Sequence, residues 1–120
     1  MLNIAFQMDP IEQVDVNADS TFDIALECFS RGHQLWVHQP QHLSFEDGRV
    51  RALARRVEKL QRVQGENAVL GAPETVDLHG MDVVFLRQDP PFDMSYITST
   101  HILEHLQPEV LIVNDPRHVR

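Results

Sequence analysis

The residues best placed to do chemistry lie where apolar runs break off into charged, proline-stiffened loops. Val83 to Leu86 passes at once into Arg87-Gln88-Asp89-Pro90-Pro91-Phe92-Asp93. Pro90 offers no N–H to a strand ladder and, with Pro91, fixes two φ angles, while Asp89 is pushed toward extended geometry by the proline after it. Arg87, Asp89 and Asp93 are thereby held on a stiff loop. Other apolar runs end in Met8-Asp9-Pro10, at His38, and in Asn114-Asp115-Pro116. One arginine amid several acids suits a polar substrate carrying both carboxylate and ammonium groups, because a guanidinium takes a carboxylate through two parallel hydrogen bonds. Turn chemistry alone also favours Asp at strand ends, so none of these acids identifies a site by itself. His101-Ile102-Leu103-Glu104-His105 matches the H-x-x-E-H pattern of inverted zinc peptidases, but zinc would need a third ligand and an open position. Histidines near a helix C-terminus are favoured by its dipole in any case.

Such loops need a frame to converge. Leu2 to Phe6, Gln34 to His38, the stretch from Met81 containing Val83 to Leu86, and Val110 to Val113 read as strands. Val83 to Leu86 does not alternate, which suits a central parallel strand covered on both faces. Asp19 or Ser20 caps a helix, with Asp23 as a capping-box variant. Phe22, Ala25, Leu26 and Phe29 form its apolar face, and Gly32 ends it. A last helix, Tyr96 to Leu106, can be capped by Ser95 and is stopped by Pro108. The loop from Ile11 to Asp19 is long for a first strand-to-helix connection, which marks it as a functional loop. Leu43 to Glu46 enters Asp47-Gly48, a pair suited to a type I′ hairpin turn. Two periods compete after that turn. Val50, Leu53, Val57 and Leu60 fit a helix, whereas Val50, Ala52 and Ala54 alternate as in a strand; period alone favours a helix over 49–62. Gly65 to Pro73 reads as loop.

The fold expected is α/β, an open and mostly parallel Rossmann-like sheet with helices on both faces. If the four strands run parallel, their carboxyl ends share one edge, where open α/β sheets place ligands. That edge collects Asp9, His38, Arg87, Asp89, Asp93, Asn114 and Asp115.

Composition narrows the partners. With 120 residues the chain fits one domain, and a net charge of -8 argues against nucleic acid or an anionic membrane. Cys28 is the only cysteine, so no intrachain disulfide forms, and mid-helix beside Phe29 it reads as a small buried hydrophobe. No apolar run is long enough to span a bilayer, and Met1 to Phe6 does not resemble a signal peptide, so the cytoplasm is expected. A dinucleotide site would need glycines in the first βα turn and a phosphate loop would need Gly-Lys-Ser/Thr; both are missing. A receiver-like signalling module would need a lysine at a late strand end, and the only lysine is Lys59.

Taken together, Met8-Asp9-Pro10-Ile11, Asp19-Ser20, Arg31-Gly32, the Arg87 to Asp93 loop, and Asn114-x-Pro116-x-x-x-Arg120 resemble the N-terminal domain of the bacterial glutathione synthase family, over essentially the whole chain. The resemblance implies a pre-ATP-grasp domain, normally followed by a larger ATP-grasp portion that holds ATP, magnesium (or manganese) and most of the catalytic machinery. The chain ends at Arg120, about where that portion should begin, so it reads as the first domain of a longer enzyme, inactive alone. In that family ATP phosphorylates the cysteinyl carboxylate of γ-glutamylcysteine, and glycine's amine displaces the phosphate. The resemblance makes Arg87 the carboxylate partner of substrate, has Asp9, Asp19 and Asp89 shape the cleft, and puts Asn114 and Arg120 at the hinge to the missing portion. It implies no catalytic residue or metal ligand in this segment, and a homo-oligomer at full length. The family usually carries lysine where Gln88 stands. It also tends to run a β-hairpin through Leu43 to Val57, against the helix that period suggests. The alternative function is a stand-alone small-ligand or protein-interaction module on the same fold.

Overall fold

The computed structural model describes residues 1–87 and 94–113, with residues 95 and 96 described by backbone alone. Gln88, Asp89, Asp93, Asn114, Asp115 and Arg120 therefore lie outside the described residues. In chain order the elements are β1 (Asn3–Gln7), α1 (Ser20–Ser30), β2 (Gln34–His38), β3 (Leu43–Glu46), β4 (Arg49–Leu60), β5 (Ala68–Leu70), β6 (Glu74–Asp77), β7 (Val83–Leu86), α2 (Met94–Leu103) and β8 (Leu111–Val113).

Ile4, Ala5, Phe6 and Gln7 are each at most 2% exposed, because β1 has a strand on either side and a helix over either face. On one face Ile4 and Phe6 pack with Leu35 and Val37 under Phe22 and Ala25 of α1. On the other, Ala5, Trp36, Val84 and Leu86 pack with Leu103 of α2 and Leu106 just beyond it. Strands β2, β1, β7 and β8 run parallel in that order, so their carboxyl ends do share an edge. This is the Rossmann-like arrangement expected, with helices on both faces. The remainder makes the sheet mixed: β4 is antiparallel to β2, and β3, β5 and β6 are antiparallel to β4.

The first helix starts where its cap dictates. The Asp19 carboxylate accepts the Phe22 N–H at 2.8 Å, and Gly32, at φ 85°, takes the left-handed geometry that ends the helix. Asp23 does not complete a capping box; its carboxylate takes the Arg62 guanidinium at 2.6 Å. Asp19→Ala is expected to lower stability by about 1 kcal/mol in urea unfolding, the usual cost of a lost cap.

The helix expected over 49–62 is not formed. Asp47 and Gly48, at φ 53° and 75°, make the type I′ turn, and the chain returns as the 12-residue strand β4. Val50, Ala52 and Ala54 point inward in alternation, while Leu53, which a helix would bury with Val50 and Val57, is 45% exposed. The helical spacing of Val57 and Leu60 has a local cause: the pairing of β4 with β5 slips between Val57 and Lys59, so both side chains are buried despite standing three apart. Strand partners distant in sequence decided the outcome. The stretch from Gly65 to Pro73, read as loop, contains β5, and β6 follows it. The last helix begins at Met94 and continues as a single 3-10 turn to Leu106 before Pro108. No helix among the described residues is long and apolar enough to cross a membrane.

Candidate functional site

Strands β1 and β2 end in register, Gln7 opposite His38, and the Met8 N–H still donates to the His38 carbonyl at 3.1 Å. Beyond that bond the two chains diverge at Asp9-Pro10 and Gln39-Pro40. A cavity of about 220 Å³ opens between these strand ends and β4. Asp9, Glu12, His38, His42 and Arg55 are polar residues of its lining, and the half-exposed Leu53 stands at its wall. Arg55 is pinned there: its Nε donates to the Gly71 carbonyl at 2.7 Å, and its Nη1 lies 3.8 Å from a Glu12 carboxylate oxygen.

His38 is 3% exposed and belongs to a buried polar chain. Gln7 Nε2 donates to Ser99 Oγ of α2 at 3.0 Å, leaving Gln7 Oε1 to accept from His38 Nε2 at 3.3 Å. The imidazole proton thus sits on Nε2, and Nδ1 is the bare acceptor. That Nδ1 is buried and has no hydrogen-bond partner among the described residues. Burial first, and the nearby His42 second, push the His38 pKa down to about 3, so the ring is neutral near pH 7.

Arg87 lies on the other side of β1. Its N–H donates to the Gln7 carbonyl at 2.9 Å, and its guanidinium turns toward the first turn of α1, with Nε on Thr21 Oγ1 at 3.1 Å and Nη2 on Ser20 Oγ at 2.9 Å. Gln7 is therefore flanked by Arg87 and His38, one on each neighbouring strand, with backbones about 10 Å apart at two strand spacings. The guanidinium and the positive end of the α1 dipole together favour an anion near Arg87.

Of the residues singled out in the sequence, the structure brings Asp9 and His38 to the cavity and sets Arg87 beside the helix that Asp19 caps. Asp89, Asp93, Asn114, Asp115 and Arg120 lie outside the described residues. Gln7, Ser99, Glu12 and Arg55 were not singled out. Gln7 had one available signal, a polar residue closing an apolar run; the others depend on pairings distant in sequence. Trp36 is core, and burial pushes the half-buried Cys28 thiol up, keeping it protonated. His105 stacks on Phe45, ring centroids 4.3 Å apart. Among the described residues no three His, Cys, Asp or Glu side chains are grouped to hold a metal, so these residues do not fit the magnesium that the resemblance implies for the longer enzyme.

Comparison with known proteins gives the family of the chain. Residues 2–120 match the family described as prokaryotic glutathione synthetase, N-terminal domain. The chain is 49% identical over 118 residues to a glutathione synthetase of Agrobacterium fabrum, covering 98% of this chain and 37% of that protein. It is 50% identical over 121 residues to a glutathione synthetase of Brucella melitensis, covering 99% and 38%, and 34% identical over 121 residues to one of Vibrio cholerae, covering 100% and 38%. The chain thus spans less than two-fifths of the length of these relatives. With the family matched from residue 2 to residue 120, the chain belongs to the prokaryotic glutathione synthetase N-terminal domain family.

Proposed function

We propose that the chain serves as the substrate-side domain of a glutathione synthetase, the ATP-dependent ligase that joins γ-glutamylcysteine to glycine. The match over residues 2–120 to that enzyme's N-terminal domain carries the reading. ATP activates the cysteinyl carboxylate as an acyl phosphate, and the glycine amine displaces phosphate to form the new amide. ATP and its Mg2+ or Mn2+ belong to an ATP-grasp portion outside this chain. Within the chain, Arg87 takes a substrate carboxylate at the strand-end edge, and Asp9 and Asp89 shape the cleft. Asp19 contributes by fixing the first turn of α1, whose Ser20 and Thr21 hydroxyls orient Arg87. Asn114 and Arg120 form the hinge to the ATP-grasp portion. The whole enzyme works in the cytoplasm as a homo-oligomer, without nucleic acid or membrane as partner.

The test is phosphate release from ATP by the full-length protein, with γ-glutamylcysteine and glycine omitted in turn. Turnover that needs both is expected, and none from the 120-residue chain alone. Turnover independent of either substrate, or glutathione made by the chain alone, refutes the assignment. In the full-length enzyme Arg87→Ala should raise KM for γ-glutamylcysteine by about 10- to 100-fold, the loss of one hydrogen bond to a charged group, and leave KM for ATP nearly unchanged.

A further inference from the structure

Gln7 closes β1 with an amide that has no exposed surface, and burying an amide costs free energy unless its polar atoms are bonded. A leucine would fill the same place without that cost, so packing alone does not call for glutamine. What the glutamine adds is a set of bonds to three other elements. Its carbonyl accepts the Arg87 N–H at 2.9 Å, its Nε2 donates to Ser99 Oγ of α2 at 3.0 Å, and its Oε1 accepts from His38 Nε2 of β2 at 3.3 Å. The ladder between β1 and β7 ends at Gln7 opposite Leu86, so Arg87 is the first residue past it and its main chain rests on Gln7. Six residues separate Arg87 from Met94, where α2 begins. Gln7 thus anchors the chain on both sides of that connection, by its main chain before it and by its side chain after it. Ser99 and His38 are 92 and 31 residues away in sequence, and they meet the amide in one register only: a slip of β1 by one residue would turn it from the α2 face to the α1 face.

We propose that Gln7 is a positioning residue for substrate binding: its side chain, through Ser99 and His38, fixes α2 and the strand ends so that Arg87 meets the substrate carboxylate. The assignment rests on the glutathione synthetase reading above and on the role of Arg87 in it. The Ser20 and Thr21 hydroxyls hold the guanidinium end of Arg87, and Gln7 holds its root. Both are needed, since a misplacement of about 1 Å at a binding group can cost about 100-fold.

The experiment is a double-mutant cycle between positions 7 and 87 in the full-length enzyme. Gln7→Leu, which keeps the bulk and removes both side-chain bonds, should raise KM for γ-glutamylcysteine about 10-fold. KM for ATP and kcat should change by less than about 2-fold. In the Arg87→Ala background the same substitution should change KM for γ-glutamylcysteine by less than about 2-fold, because a residue that acts through Arg87 has nothing left to position. If Gln7→Leu does not fold, Ser99→Ala, which removes one of the two bonds, takes its place in the cycle with a rise of about 3-fold. An unchanged KM in the native background, or an equal rise in both backgrounds, overturns the proposal and leaves the ligase reading standing. If the wild type does not turn over γ-glutamylcysteine, or if Arg87→Ala leaves its KM unchanged, the reading beneath the proposal falls, and the placement of Arg87 is then decided without substrate. In 15N-arginine-labelled full-length protein the Arg87 Nε–H, bonded to Thr21 Oγ1 at 3.1 Å, should exchange with solvent at least about 5-fold faster in Gln7→Leu. The Arg49 Nε–H, bonded to Asp77 at 2.9 Å, should keep its rate. No change at Arg87, or the same change at both arginines, overturns the positioning role.

Discussion

Phe6→Ala should destabilise the chain by about 3–5 kcal/mol, enough to unfold a large fraction of an ordinary domain at room temperature. Phe6 has no exposed surface, sits on β1, and stacks on Phe85 of the adjacent β7 with ring centroids 4.8 Å apart and planes inclined by 10°. Its strand is bonded on both sides, so the backbone cannot move into the space that the ring leaves. The removed ring therefore costs both its transfer free energy and an unfilled cavity. Urea unfolding of the wild type and variant measures the difference. Phe45→Ala is the control: Phe45 is 41% exposed, and its loss should cost about 1 kcal/mol or less. Equal losses at the two positions would contradict the placement of Phe6 at the centre of the core.

The second large effect is a dependence on acid that one residue dominates. His38 is neutral in the folded chain, with its pKa at about 3, whereas an unfolded histidine titrates near 6.5. Between those values the unfolded chain binds a proton that the folded chain refuses, so unfolding is favoured as pH falls. The contribution of His38 to stability is fully present above pH 6.5 and is lost as pH drops toward 3, at a slope of up to about 1.4 kcal/mol per unit. Over the whole window the loss is about 5 kcal/mol. Carboxylates titrate in the same range, so the quantity to measure is the difference between wild type and His38→Asn in denaturant midpoints from pH 7 to 4.5. The wild type should lose roughly 2–3 kcal/mol more than the variant. Parallel curves would place the imidazole in contact with solvent.

The parallel core was legible because its strands are short apolar runs that give way to proline-containing loops, and because a cap at Asp19 or Ser20 and a stop at Gly32 bracket α1, the structure choosing Asp19. Those signals are local, and the structure reproduces them. The course of Arg49 to Leu60 was not legible from period, because the slip near Lys59 gives Val57 and Leu60 the spacing of a helix while Val50, Ala52 and Ala54 alternate. Only the partners β3, β6, β2 and β5, up to tens of residues away, resolve that ambiguity. The site divides in the same way. Asp9, His38 and Arg87 stood at strand ends that could be read off the chain, but Arg55 and Glu12 reach the cavity through β4 and the turn after β1. The pairing of Gln7 with His38 follows from register, and Ser99 completes it from a helix on the other side of the sheet.

One strand, β4, is bonded along its length to four others: β3 and β6 near its start, β2 and β5 near its end. No single neighbour covers the whole of β4, so the peeling of one frees only the N–H groups bonded to it. Releasing β3 exposes only the first residues, and releasing β5 only the last. The short stretch that pairs with β2, Arg55 and Arg56, is where the antiparallel flank joins the parallel core, and its amide protons exchange with deuterium only when that junction opens. The flank that period would have made a separate helix is thus bound into the same cooperative unit as β1 and β2.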